Sequence, residues 1–175
     1  TAARQRAEEL GVSSRVSFVE GDAGKYAAET ISFDIVSCIG ATWIGAGLVG
    51  TLHLMLPALK PGGLLLVSEP YWISPPPDEV YEQMQVGRED FTSLVGTLDR
   101  IESAGLELVE MVLADGDSWD RYVAALWFTL DHWIRAHPDH PDAPSIRETH
   151  IRWRRIYLEY QRQCFGWGIF VLRSN

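Results

Sequence analysis

Three glycines, Gly45, Gly47 and Gly50, stand in the spacing G-x-G-x-x-G just ahead of an apparent helix, a pattern that can cradle the pyrophosphate of a dinucleotide. That chemistry needs the first glycine almost at once after its strand, so that a tight turn delivers the phosphates to the helix N-terminus. Here the preceding apolar run ends near Ile39 and the segment GATWI intervenes, so the glycines read as a loop that turns and a helix that starts. Glu69, at the end of the next apolar run, falls roughly where a ribose-binding acid would be needed. It keeps an NAD(P)-dependent oxidoreductase using Gly45, Gly47 and Gly50 as an alternative reading.

Other reactive residues give less. His137, His140 and His150, with Asp139 and Asp142, invite a metal reading, but Pro138 and Pro141 hold the segment HPDHPD rigid, and it reads as a polar loop between helices. No metal is expected. Cys38 and Cys164 lie far apart without metal-ligand spacing, and no histidine neighbours Cys38 in sequence to activate it, so both read as small buried hydrophobes. They point to a reducing cytoplasm. His53 falls inside a helix and reads as structural. Arg147, Arg152, Arg154, Arg155 and Arg162 concentrate positive charge near the chain end, where Glu148 and Glu159 can balance it as a solvated face.

The formal net charge of −9 argues against a surface built to neutralise nucleic-acid phosphates or to lie on an anionic membrane. Its apolar runs, such as Leu64 to Val67 and Ile169 to Leu172, fall short of the roughly 20 residues that span a bilayer. A soluble protein acting on small molecules is expected. The 175 residues suit one domain.

The elements that must position these residues alternate. TAARQRAEELG reads as a helix already in progress at Thr1, with Ala3, Ala7 and Leu10 on one face and Gly11 as its cap. Val16 to Val19 reads as a strand closed by Gly21 and Asp22. Phe33 to Ile39, apolar on both faces, reads as an interior parallel strand. Leu48 to Leu59 carries Leu48, Leu52, Met55, Leu56 and Leu59 at helical spacing, KPGG stops it, and LLLVSEP follows as a strand. The prolines of ISPPPDE predict an extended loop over Tyr71 to Asp78. A helix from about Phe91 to Ala104 and a strand from Leu106 to Leu113 come next. DSWDRYVAALWFTLDHWIRAH predicts a helix capped by Asp117, with Tyr122, Leu126, Leu130 and Trp133 as its apolar stripe. A second helix, about Pro144 to Gln163, makes a hairpin with it, and Trp167 to Arg173 closes the chain as a strand. The pattern is that of a doubly wound α/β sheet, which binds ligands beyond the carboxyl ends of its strands.

Taken in order, RAEELGVSSRVSFVEGDA, FDIVSCIGA and LPALKPGGLLLVSEPYW resemble the second half of a class I S-adenosylmethionine-dependent methyltransferase, whose fifth strand is introduced by a turn like Lys60, Pro61, Gly62 and Gly63. The resemblance implies a mostly parallel Rossmann-like sheet with an antiparallel C-terminal strand. It also implies a core over 1–116, a helical insertion over 117–163 and a last core strand over 164–175. The family's glycine-rich turn and ribose-binding acid are not among these residues, so the expectation is a partial domain whose cofactor binding by itself is in doubt.

Site residues follow from the same resemblance. Gly21, Asp22 and Ala23 form the turn whose carboxylate would accept from the adenine amino group. Cys38, Ile39 and Gly40 would run beside the methionine portion of the cofactor. Trp43, Tyr71 and Trp72 would converge over the sulfonium as a pocket wall, where a cation gains from an aromatic face. Glu69 is the weak catalytic candidate, as a substrate-orienting group, a general base or a partner of a helix end. The implied reaction moves a methyl group to a small-molecule acceptor. A non-catalytic binding module on the same fold is the other alternative, and the sequence leaves the attacked atom and oligomeric state open, a homodimer included.

Overall fold

The computed structural model describes residues 1–25 and 33–174. Four strands form one sheet in the order β1-β2-β4-β3: β1 (Phe33–Cys38), β2 (Leu59–Trp72), β3 (Leu106–Leu113) and β4 (Phe165–Ser174). β1 and β2 are parallel, whereas β4 runs antiparallel to both β2 and β3. Three strands therefore share a direction and the C-terminal strand opposes them, as expected. An antiparallel final strand also removes the arrangement that the oxidoreductase alternative requires.

Helices α2 (Leu48–Met55) and α4 (Leu94–Ser103) cover one face. Between them and the sheet lies the main core, built on Leu52, Leu65, Val67, Ile101, Leu106, Phe170 and Leu172. The apolar spacing of α2 puts Leu48, Leu52 and Met55 inward, and Ser93 starts α4 by accepting from the Gly96 amide at 3.2 Å, which satisfies a donor the helix cannot use. A second core joins Trp72, Val80, Cys164 and Phe165, with Val80 supplied by α3 (Asp78–Met84), a short helix that the proline run obscured in the sequence.

Several expectations are corrected. Val16 to Val19 is not a strand; Val19 is 79% exposed and pairs with no strand among the described residues, so β-propensity there finds no ladder to join. β1 is not an interior strand of the described sheet: it lies at the edge, with Val36 and Cys38 turned toward α2 and α4 while Ile35 is 58% exposed. The lysine-proline-glycine-glycine segment does not precede β2 but lies inside it. The partner of Phe33 is Leu59 and that of Ile35 is Leu64, so the segment bulges from the ladder. Gly63 is needed there, since a Cβ would fall 2.8 Å from the Asp34 carbonyl oxygen.

α5 (Gly116–Ala136) is capped by Asp115, not Asp117, the Asp115 carboxylate accepting from the Ser118 amide at 2.6 Å. Its expected stripe is also misassigned. Tyr122 and Leu126 are exposed, and Ile134 is the residue that α5 buries most fully. α6 (Ala143–Ile156) continues through a π-helical turn at Tyr157–Gln161. Tyr157 donates to Asp120 at 2.6 Å, and Arg162 meets the same carboxylate at 3.0 Å, tying the two helices together.

Candidate active site

β1 and β2 run parallel, so their carboxyl ends open on the same side. There a cleft of about 580 Å³ is lined by Gly40, Thr42, Trp43, the start of α2, Glu69, Glu89, Asp90, Phe91, Arg100 and Trp167. Gly40 sits where β1 ends, at φ +73°, a left-handed conformation that a side chain would strain. Its amide donates to the Ser68 hydroxyl at 2.7 Å, fastening the end of β1 to β2. A Cβ on Gly40 would lie 3.9 Å from the Trp167 ring, an ordinary van der Waals contact. Trp167 in turn stacks on Trp119 of α5, which stacks on Tyr122, with ring planes 15° apart in both pairs. The helical hairpin thus braces one wall.

Glu69 dominates the electrostatics. It is 2% exposed, and its Oε2 has no hydrogen-bond partner among the described residues. Burial pushes its pKa up to about 7, because desolvation disfavours the carboxylate; a hydrogen bond from Thr42 and the positive charge of Arg100 pull the other way and recover only part. A cleft holding one strongly perturbed acid is a physical signature of a working site. Arg100 is itself held, Nη1 donating to the Asp90 carbonyl at 3.0 Å and Nη2 to that of Glu89.

A family model for a methyltransferase domain matches residues 1–125. The chain belongs to that methyltransferase family. An uncharacterised Escherichia coli protein, YjhP, is 45% identical over 173 residues, covering 97% of this chain and 69% of that protein. A solved S-adenosylmethionine-dependent methyltransferase from Geobacter sulfurreducens, in complex with S-adenosylhomocysteine, superposes with a TM-score of 0.91 at 42% identity over 99% of this chain and 70% of that one. One from Thiobacillus denitrificans, in the same kind of complex, gives 0.89 at 38% identity, again over 99% and 70%.

Within this methyltransferase domain the expected site residues separate. Gly40, Trp43 and Glu69 share the cleft. Cys38 is buried beside it, its thiol pushed up by burial, and Ile39 is exposed. Tyr71 and Trp72 are corrected: they do not line the cleft. Trp72 packs edge-on against Tyr81 and Phe91 in the second core, and Tyr71 is buried across the backbone of Gly166. Strand alternation turns Trp72 to the face opposite Glu69, whereas Tyr71 shares the Glu69 face but lies two residues further along, where its ring is laid over Gly166. Gly21, Asp22 and Ala23 are exposed. The Asp22 carboxylate accepts from the Gly24 amide at 3.0 Å and pairs with Lys25 at 3.3 Å, outside the cleft lining. That turn nonetheless touches the cleft wall, since a Cβ on Gly24 would lie 2.9 Å from the Ile44 carbonyl oxygen.

The three glycines have a packing role. Gly45 and Gly50 meet backbone to backbone, leaving no room for a Cβ on either, and Gly47 at φ +112° begins α2. His137 stacks on Trp133 at 4.8 Å and His140 meets the same ring edge-on, while His150 is buried against Arg154. Arg155 pairs with Glu159 at 2.7 Å on the helix surface. Sequence reasoning missed Thr42, Phe91, Arg100 and Trp167. Only Trp167 carried a signal, as a large aromatic between two glycines in a strand.

Proposed function

We propose that this methyltransferase domain transfers a methyl group from S-adenosylmethionine to a small-molecule acceptor held in the cleft at the ends of β1 and β2. The observation that carries this reading is the buried Glu69 carboxylate, with one oxygen lacking a partner among the described residues, in a concave and largely apolar cleft. Such a site suits a small polar molecule far better than a macromolecular surface.

The residues present supply part of a cofactor site. Gly40 offers a strand end free of side chain, and Cys38 and Ile39 complete that strand end. Gly21, Asp22 and Ala23 form an exposed turn against the Thr42–Gly45 segment, and the family resemblance is what supports the Asp22 carboxylate as acceptor for an adenine amino group. When bound, S-adenosylmethionine supplies a methyl group made electrophilic by its positive sulfur. The protein's task is then to hold and orient. Phe91 and Trp167 exclude water, and Glu69 faces the acceptor as a hydrogen-bond partner. Proximity and orientation of this kind can be worth about 7 to 11 kcal/mol. α5 and α6 support the acceptor side through Trp119. The buried free thiols of Cys38 and Cys164 support a reducing compartment, the cytoplasm. Among the described residues no helix is long and apolar enough to cross a membrane.

Calorimetric titration with S-adenosylhomocysteine tests the reading. Saturable binding is expected, weakened at least about tenfold by Gly40→Val, because a branched side chain would strain the left-handed backbone beside the Trp167 ring. Absence of heat at high micromolar ligand would overturn it.

A further inference from the structure

We propose that the acceptor bound in this cleft is an amine, taken up as its ammonium form by an ion pair with Glu69, which then accepts the ammonium proton so that the freed nitrogen lone pair can take the methyl group as the methyl–sulfur bond breaks. The inference rests on the methyl-transfer reading for the word acceptor, and on the geometry of the cleft for everything else.

Glu69 Oε2 is cut off from water and from every donor among the described residues, although the side chain lines an open cleft. A buried carboxylate in that condition is tolerated where a ligand completes it. The charges around it select the ligand. Glu89 and Asp90 line the same cleft, so carboxylates outnumber the single cation, Arg100. Both terminal nitrogens of Arg100 already donate to the carbonyls of Glu89 and Asp90, which leaves that guanidinium poorly placed to clamp a phosphate or carboxylate. An anionic acceptor would be repelled. Trp43, Phe91 and Trp167 supply aromatic surface to the same cleft, and ring faces attract organic cations. A buried acid, an acidic rim and aromatic walls together make a receptor for a small alkylammonium.

The polar, charged and aromatic groups around Glu69 come from every neighbouring element. Cys38 ends β1, Thr42 belongs to the turn before α2, Glu89 and Asp90 precede α4, Arg100 lies on α4, and Trp167 stands on β4. With the carboxyl at about 7 in the free protein, only its ionised form pairs with an ammonium, so cation binding must strengthen as pH rises through that value.

Benzylammonium and benzyl alcohol, alike in ring and differing in charge, are suitable probes. Their affinities are measured by calorimetry on the protein saturated with S-adenosylhomocysteine and on the protein alone. At pH 8 benzylammonium should bind at least about tenfold more tightly than the alcohol, and the preference should shrink by about tenfold at pH 6. Glu69→Gln should abolish the preference at both pH values, while the wild-type pH series gives the same answer without any variant. Equal affinities, no benzylammonium binding at millimolar concentration, or a preference that survives Glu69→Gln would each overturn the proposal. Failure of S-adenosylhomocysteine to bind would instead strike the methyl-transfer reading, and the comparison of the two probes would still stand by itself.

Discussion

Replacing Glu69 by glutamine removes a buried titratable group while keeping its shape, and the consequence for stability can be worked from the site. In the unfolded chain this carboxyl titrates at its ordinary value of 4.5; in the fold it titrates at about 7. Below both values it is protonated in either state and costs nothing. As pH rises between them the unfolded chain releases the proton and the folded one keeps it, so stability falls, and the loss is complete above about 7. One pKa unit corresponds to about 1.4 kcal/mol, so the full penalty is about 3 kcal/mol, of which about 2 kcal/mol develops between pH 5.5 and 8.5. Glutamine carries no such penalty. Urea unfolding of wild type and Glu69→Gln across that range should therefore show the variant gaining about 2 kcal/mol relative to wild type toward the alkaline end. Taking the difference cancels the other titrating groups. A difference that stays flat with pH, or that moves against the variant, would refute the claim that Glu69 is desolvated, and with it the basis of the site.

Two further predictions concern the scaffold. Gly166→Ala places a Cβ about 2.7 Å from the Tyr71 hydroxyl and Cε2 and closer still to Cζ, so chemical unfolding should show a loss of about 3 kcal/mol, the upper part of the range for overpacking. On a Tyr71→Ala background Gly166→Ala should cost much less, a coupling that a purely conformational effect of alanine would not produce. Tyr157→Phe deletes the 2.6 Å bond from the phenol to Asp120 but leaves the Arg162 pairing intact. The expected cost is about 1 to 2 kcal/mol, read by urea unfolding, with near-ultraviolet circular dichroism reporting whether the α5–α6 hairpin keeps its packing.

Much of the fold was legible in the sequence because it depends on local periodicity. Leu106 to Leu113 is a β-rich run flanked by Gly105 and Ala114, and its bounds match the structure residue for residue. The order of strands and helices likewise follows from runs of apolar residues at spacings of two or three to four. Val16 to Val19 shows the limit of that argument, since its β-rich composition could not supply a neighbouring strand. The short helix α3 shows another: three successive prolines announce a loop but are silent about what begins at Asp78, where Val80 is drawn into the second core. Tyr71 and Trp72 mislead for a related reason. Their position at a strand end is visible in the sequence, whereas the side each ring takes depends on Gly166 and Phe165 on a strand nearly a hundred residues away.

By itself the sequence determined an alternating α/β chain, an acid at the end of its longest strand, and the resemblance from which methyl-transfer chemistry was expected. Only the tertiary structure decided that Glu69 is shut away from water, that Arg100 is already engaged, and that Trp167 and Gly40 face each other across the same cleft. The physical reason is that ionisation and recognition depend on desolvation and on the charges within a few ångströms, and those neighbours come from segments far apart along the chain.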